Sequence, residues 1–217
     1  MKDYQREFIK FCLDHRVLIF GTFTLKSGRV SPYFFNCGLF YTGEALLSIG
    51  NSFARAIQDA GVDYDVLFGP AYKGIPLVCS TAIGLSLRGQ QAPYAFNRKE
   101  VKDHAEGGYM VGAPLQGKVL VIDDVVTAGT AINEALGIIK AQNAKLAGVV
   151  LAIDRQEVAP DGSGKSAIQA IEEREGVPVK TIIQLDDIVE YLKEVGGHEA
   201  DLAKIAAYRE QYGVKSA

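Results

Sequence analysis

Two adjacent carboxylates, Asp123 and Asp124, stand where an apolar segment gives way to small and hydroxylated residues, in the run VLVIDDVVTAGTA over residues 119–131. Four consecutive apolar residues before the pair predict a strand buried on both faces, and the apolar spacing after the run predicts a helix. Small residues at a helix N-terminus let a phosphate approach unpaired backbone N–H groups. The two carboxylates would suit sugar hydroxyls or a divalent cation carried by the substrate. The run therefore predicts a sugar-phosphate site.

A simpler interpretation of the acidic pair stays open. Acidic residues after a buried strand also cap the next helix or lie solvated at the end of the sheet. The chain lacks the GxxxxGK[ST] motif, so a P-loop nucleotide site is not supported.

Two further segments carry candidate residues. Residues 69–74, GPAYKG, follow an apolar run and predict a tight turn that carries Lys73 to the sheet edge; the alternative is a plain turn with a solvated lysine. Residues 98–108, RKEVKDHAEGG, are rich in charge and end in Gly-Gly. They predict either a solvated loop or a mobile lid that brings cations and His104 over a departing anion.

Composition limits the class of protein. The chain has 217 residues and a formal net charge of −3, which argues against general nucleic-acid affinity. Cys12, Cys37 and Cys79 are odd in number and lack a CxxC spacing, so neither a disulfide framework nor a zinc site is expected. We find no signal-peptide pattern and no apolar run of the ~18 residues that a membrane span needs, and we expect a cytoplasmic protein.

Predicted strands alternate with predicted helices, which favours an α/β fold with a parallel, doubly wound sheet. Ligands of such sheets bind beyond the carboxyl ends of the strands. We expect one domain over residues 1–217, with the core sheet at about 62–185 and short strands and turns outside it before about residue 43. The predicted helices lie at residues 3–15, 42–60, 75–87, after 131, at 166–175 and near the C-terminus. The predicted strands lie at residues 66–68, 92–96, 119–122, 147–153 and 179–185.

The run at 119–131 resembles the PRPP-binding signature of the type I phosphoribosyltransferases. Taken with GPAYKG, with NRKEVKDHAEGG at 97–108 and with TLKSGRVSPYFFN at 24–36, it is similar to the bacterial, homodimeric orotate phosphoribosyltransferases. The likeness spans residues 1–213. The only departures noticed are conservative, such as Val126 where the family often has isoleucine.

The resemblance implies transfer of a phosphoribosyl group from PRPP to orotate, giving orotidine 5′-phosphate and diphosphate in UMP biosynthesis. It implies a small N-terminal hood subdomain over the core sheet, a mobile catalytic loop, Mg²⁺ carried by PRPP, and a homodimer with shared active sites. It implies no nucleic-acid or membrane partner. Two alternatives stay open, a phosphoribosyltransferase for another base and a non-catalytic regulator that senses PRPP.

The resemblance also implies residue roles. Asp123 and Asp124 would hold the ribose 2′- and 3′-hydroxyls, with Mg²⁺ possibly near them. The 5′-phosphate would be surrounded by Thr127, Ala128, Gly129, Thr130 and Ala131, and PRPP would also contact Val125 and Val126. The diphosphate would be surrounded by Tyr72, Lys73, Arg98, Lys102 and His104. Whether His104 or Lys102 protonates the leaving diphosphate is left open.

The remaining roles concern the base and the partner subunit. Lys99 would reach into the neighbouring site of the dimer. Lys26 would lie near diphosphate and base, and the segment Phe34-Phe35, with Thr127, would contact orotate. Arg155 would pair with the orotate carboxylate, because a planar guanidinium can grip a carboxylate with two parallel hydrogen bonds.

Overall fold

A computed structural model describes residues 1–102, 108–126 and 130–214, with the backbone alone at 101, 102, 108 and 130. The strands of this part are β1 (Leu18–Thr24), β2 (Val30–Phe35), β3 (Val66–Gly69), β4 (Tyr94–Lys102), β5 (Gly108–Gly112), β6 (Lys118–Asp123), β7 (Lys145–Asp154) and β8 (Val179–Gln184). The helices are α1 (Asp3–Asp14), α2 (Gly43–Ala60), α3 (Gly74–Ser86), α4 (Thr130–Ala141), α5 (Ala167–Glu175), α6 (Leu185–Val195) and α7 (Glu199–Tyr212). No helix of the described residues is long and apolar enough to cross a membrane.

The central sheet has six strands in the order β5-β4-β3-β6-β7-β8. All neighbouring strands are parallel except β4 and β5, which pair antiparallel at the edge. The predicted α/β fold with a parallel, doubly wound sheet is confirmed, and the structure adds one antiparallel pair at the edge. Because β3 and β6 are neighbours, the loops that follow them lie side by side at one end of the sheet.

Strand β6 shows why the sheet needs helices on both faces. Val119 and Val121 belong to one apolar cluster, and Leu120 and Ile122 belong to the other, and all four are fully buried. Successive side chains of a strand point to opposite faces, so an unbroken apolar run is buried on both sides. The prediction of a buried strand ending at the carboxylates is confirmed.

Helix α2 begins and ends at the residues that its sequence indicates. The Thr42 side chain accepts a hydrogen bond from the Ala45 N–H, and Gly61 adopts a left-handed conformation after the last turn. Both are ordinary helix-terminating devices, because a hydroxyl satisfies an unpaired N–H and glycine tolerates positive φ.

Strands β1 and β2 form a separate antiparallel pair outside the central sheet. The inward side chains Tyr33 and Phe35 are buried, and Phe35 lies with Phe8 and Phe40 in an aromatic group with ring centroids 6.0–6.5 Å apart. This hairpin also packs on helix α7. The N-terminal strands are thus joined to the C-terminal helix.

The structure corrects the prediction for residues 98–108. Residues 98–102 continue strand β4, and β5 begins at residue 108, so both ends of this segment belong to a β-hairpin rather than to a loop. The pairing is regular from Ala95 to Asn97 and then shifts before Lys102. Strand β5 was not predicted, because its charged and glycine-rich approach is typical of a loop.

Candidate functional site

The two loops at the ends of β3 and β6 meet through an ion pair. The ammonium of Lys73 lies 2.7 Å from Oδ2 of Asp124. The Lys73 side chain is 62% exposed, whereas that of Asp124 is 14% exposed. A cation and a carboxylate are therefore held together at the mouth of the site. This mouth lies beyond the carboxyl ends of the strands, where ligands of parallel sheets bind.

The turn after β3 depends on its two glycines. A Cβ on Gly69 would lie 2.1 Å from the carbonyl oxygen of Gly74, and a Cβ on Gly74 would lie 2.7 Å from the carbonyl carbon of Gly69. Neither contact is sterically possible, so the chain can turn this tightly only without side chains. The predicted tight turn is confirmed, and it leaves the side chains of Tyr72 and Lys73 exposed at the sheet edge.

Backbone donors fix the two carboxylates at the end of β6. Oδ1 of Asp123 accepts from the Asp124 N–H, and Oδ1 of Asp124 accepts from the Val125 N–H, each at 2.8 Å. Asp123 is buried, with 6% of its surface exposed. The pair is thus preorganised, with carboxylate oxygens that can accept hydrogen bonds from hydroxyl groups.

Two groups at this site, Asp123 and Lys73, have shifted pKa values. Burial, and then the charge of Asp124, raise the pKa of Asp123 to about 7. Partial burial lowers the pKa of Lys73, but the hydrogen bond and the charge of Asp124 outweigh it, and the pKa is raised overall. Lys73 therefore stays a cation at neutral pH, while Asp123 titrates there.

Cys37, which follows β2, links the N-terminal strands to this site. Burial raises the pKa of its thiol, and the charges of Asp124, Lys73 and Asp123 also act on it. Cys37 itself is 8% exposed. The chain just after the outer hairpin, formed by β1 and β2, therefore lies close enough for the charges of the acidic pair to act on it.

Several predicted phosphate ligands lie at the edge of what the structure describes. Val125 and Val126 are half-buried and pack against the two apolar clusters. Thr130 begins helix α4, and Ala131 is exposed in its first turn. Thr127, Ala128 and Gly129, like His104, lie outside the described residues.

The cations of the β4–β5 hairpin are placed in part. Arg98 is half-buried, and Lys102 lies in β4 with only its backbone described. The ammonium of Lys99 lies 2.9 Å from Oε2 of Glu134 on α4 of the same chain. The hairpin is therefore tied to the helix that follows the acidic loop.

On the side predicted for the base, the structure separates two neighbouring rings. Phe34 is half-buried with its ring centroid 5.6 Å from that of Phe23, whereas the Phe35 ring lies in the core. Strand alternation turns the Phe35 ring inward, so the accessible aromatic surface of the predicted segment is the Phe34 ring. Lys26 is exposed in the turn between β1 and β2.

Arg155 follows β7 and is buried, with 8% of its surface exposed. Its Nε donates to Oε1 of Glu157 at 2.8 Å, and Nη2 donates to the hydroxyl of Ser31 at 3.0 Å. The guanidinium carbon lies 4.3 Å from the centre of the Tyr33 ring. The structure thus brings Arg155 against the outer hairpin.

Sequence reasoning missed two residues beside these groups. Asn97 is 2% exposed, and its side chain accepts a hydrogen bond from the Ala71 N–H in the turn after β3. Glu157 pairs with both Arg155 and Arg29. An asparagine inside a strand gives no signal of its own, and the partners of Glu157 come together only in the folded chain.

The described residues contain no group of three or more His, Cys, Asp or Glu side chains that could hold a metal ion. The carboxylate oxygens of Asp123 and Asp124 are hard donors of the kind that Mg²⁺ prefers. Two such donors fit a cation whose other ligands come from a bound phosphate compound.

Comparisons with known proteins agree on one family. The sequence model described as phosphoribosyl transferase domain matches residues 40–178. The chain is similar to the orotate phosphoribosyltransferase of Marinobacter nauticus, with 56% identity over 99% of this chain and all of that relative. It is 57% identical to the one from Photobacterium profundum, with the same coverage. The crystal structure of orotate phosphoribosyltransferase from Francisella tularensis superposes with a TM-score of 0.86 at 49% identity, over 95% of this chain and 99% of that one.

Proposed function

The chain belongs to the phosphoribosyltransferase family, and from that premise we infer that it is an orotate phosphoribosyltransferase. It transfers the 5-phosphoribosyl group of PRPP to orotate and forms orotidine 5′-phosphate and diphosphate, a step of pyrimidine biosynthesis. The observation that carries the chemistry is the contact between Lys73 and Asp124, which joins a phosphate-binding turn to a hydroxyl-binding acidic pair. A sugar that bears a diphosphate needs both in one place.

We propose that Asp123 and Asp124 accept hydrogen bonds from the 2′- and 3′-hydroxyls of the ribose. Their fixed backbone contacts support this role, because preorganised acceptors lose little entropy on binding. The 5′-phosphate would lie on residues 127–131, before and in the first turn of α4, because unpaired N–H groups and the helix dipole favour an anion there.

In the reaction, the bond from ribose C1 to the diphosphate oxygen breaks, and a bond from C1 to a ring nitrogen of orotate forms. Positive charge develops on the ribose ring as diphosphate leaves with the electron pair, as in glycosidic cleavage. Negative charge grows on the leaving group, and we propose that Lys73, Arg98 and Lys102 neutralise it. The nucleophilic nitrogen belongs to orotate, so no protein nucleophile is needed.

Mg²⁺ is proposed as the cofactor, held near Asp123 and Asp124 and by the phosphate oxygens of PRPP. When bound, such an ion screens the charge of the leaving diphosphate. Lys73 then orients that group while Asp124 holds the ribose, since both lie at the same mouth of the site.

On the base side we propose that Arg155 binds the orotate carboxylate and that Phe34 offers a flat apolar surface, with Lys26 between base and diphosphate. The supporting observation is that Arg155 and the outer hairpin are already in contact through Ser31 and Tyr33. Residues 1–43 would then act as a hood within a single domain of residues 1–217 whose core sheet spans about 62–185.

We further propose a homodimer in which Lys99 serves the partner's site, and a cytoplasmic location. The second proposal draws support from Cys12, Cys37 and Cys79, which are free thiols and suit a reducing compartment. The direct test of function is an absorbance assay of orotate consumption with PRPP and Mg²⁺. Consumption of a purine base instead, or PRPP binding without turnover, would overturn the assignment.

A further inference from the structure

Asn97 lies in strand β4, one residue after its parallel pairing with β3 ends. The last parallel pair of these strands joins Gly69 to Phe96, so the next pair in register would join Pro70 to Asn97. Proline has no N–H and ends the hydrogen-bond ladder there. The Ala71 N–H is satisfied instead by Oδ1 of Asn97 at 2.8 Å. A side-chain hydrogen bond thus joins the two strands just beyond their last backbone pair.

The other end of the same side chain contacts the β4–β5 hairpin. Nδ2 of Asn97 lies 3.2 Å from the carbonyl oxygen of Arg98 and 3.2 Å from the hydroxyl of Tyr109. An N–H on one side and a carbonyl on the other fix which end of the amide faces which partner. Asn97 therefore ties the turn that carries Lys73 to the hairpin that carries Arg98 and Lys99.

We propose that Asn97 is a positioning residue for the diphosphate side of the site. It holds Ala71 and hence the following Tyr72 and Lys73 in the conformation that receives the diphosphate. The burial of Asn97, with 2% of its surface exposed, makes the contact hard for water to replace. This inference rests on the proposed role of Lys73 at the diphosphate.

The test measures binding of two ligands to purified variants of the full chain. Inorganic diphosphate with Mg²⁺ probes the turn, and orotidine 5′-phosphate, which has no diphosphate, probes the remainder of the site. Asn97→Leu keeps the size of the side chain but leaves the Ala71 N–H without a partner. We expect its diphosphate affinity to fall by about tenfold or more. Its affinity for orotidine 5′-phosphate should stay within about twofold of the wild-type affinity. A change of that size is smaller than the loss of a hydrogen bond to the ligand would cause.

Two further variants make the outcomes distinguishable. Tyr109→Phe removes one partner on the hairpin side and should leave diphosphate affinity nearly unchanged. Lys73→Met tests the proposed function itself. If Lys73→Met weakens diphosphate but Asn97→Leu does not, the positioning role is overturned and the proposed function stands. If Lys73→Met has no effect, the proposed role of Lys73 at the diphosphate is overturned. The inference about Asn97, which rests on that role, is then overturned with it.

Equal losses of both ligands in Asn97→Leu would mean general damage to the site and would also overturn the inference. The positioning role fails as well if Tyr109→Phe weakens diphosphate as much as Asn97→Leu, because the hairpin contact would then carry the effect. Melting temperatures check folding. If Asn97→Leu does not fold, Asn97→Ala, which also removes the amide oxygen that accepts from the Ala71 N–H, carries the same expectation.

Discussion

The guanidinium of Arg155 lies 2.7 Å from the carboxylate of Glu157, and both side chains are largely buried. The same carboxylate also pairs with Arg29 at 3.5 Å, so two arginines share one internal counterion. One positive charge is left over in this group, and buried charges are stable only when paired. A single carboxylate on a ligand would complete the balance.

We therefore predict that Arg155→Ala weakens orotate binding far more than PRPP binding. Loss of one partner of a charge-assisted pair typically costs about 2–5 kcal/mol. Arg155→Lys is the matched control, because it keeps the charge but not the planar fork, and it should fall between wild type and Arg155→Ala. Calorimetric titration with each ligand measures the effect. Unchanged orotate affinity with weakened PRPP binding would assign Arg155 to the phosphate side.

The acidic pair should be needed for turnover and not for folding. Asp123→Asn combined with Asp124→Asn should lower kcat/KM by about 100-fold or more, which corresponds to about 2.7 kcal/mol of transition-state stabilisation. Asp154→Asn is a matched control, since Asp154 ends the neighbouring strand β7 and its Oδ1 accepts from the Gln156 N–H. It should keep near-normal turnover. Comparable losses in both enzymes would argue against a special role of the pair.

The raised pKa of Asp123 predicts that its ionised carboxylate lowers the stability of the folded chain. The folded chain holds this proton up to about pH 7, whereas the unfolded chain releases it near the ordinary value of 3.8. The folded state therefore binds more protons in between, and the free energy of unfolding contributed by Asp123 falls as pH rises from about 3.8 to 7. Asp123→Asn should be more stable than wild type at pH 8, by on the order of 2 kcal/mol, and should lose this advantage below about pH 4.

Denaturant unfolding at both pH values measures this difference. The same proton should affect function in the opposite sense, because only the carboxylate accepts hydrogen bonds at both oxygens. In the wild type, kcat/KM for PRPP should rise with pH through about 7. A stability difference that stays flat between acid and mildly alkaline pH would show that Asp123 does not titrate in this range.

Local signals in the sequence were sufficient for the strands and helices that support the site. The apolar run before Asp123 predicts β6 because four adjacent apolar residues need cover on both faces, and Thr42 and Gly61 predict the ends of α2. The alternation of the two element types then predicts a parallel sheet and the end of the sheet at which ligands bind. These inferences depend only on residues close in the chain.

The parts that were missed depend on partners distant in the chain. Strand β5 forms because Met110 and its neighbours find β4, and the charged residues between them conceal the pairing. Phe34 and Phe35 look equivalent in the sequence, but only their position in β2 decides which ring enters the core. The contact of Asn97 with Ala71 spans 26 positions and arises from the parallel register of two strands.

The last prediction concerns Lys99, whose ammonium is held by Glu134 of its own chain at 2.9 Å. Both groups are substantially exposed, with 37% and 56% of the side chains accessible, so this pair contributes little stability and can exchange for another anion. If Lys99 serves the partner's site, Lys99→Ala should be nearly inactive, whereas Glu134→Gln, which releases the lysine, should stay active.

Complementation between subunits distinguishes the two locations of Lys99. The Lys99→Ala chain keeps its acidic pair, and a chain with Asp123→Asn and Asp124→Asn keeps its lysine. In a mixed dimer, one of the two sites then contains both the acidic pair of the first chain and the lysine of the second. Random pairing makes half of the dimers mixed, so subunit exchange should restore up to about a quarter of wild-type activity. Mixed dimers verified by mass spectrometry but without recovered turnover would show that Lys99 acts within its own chain.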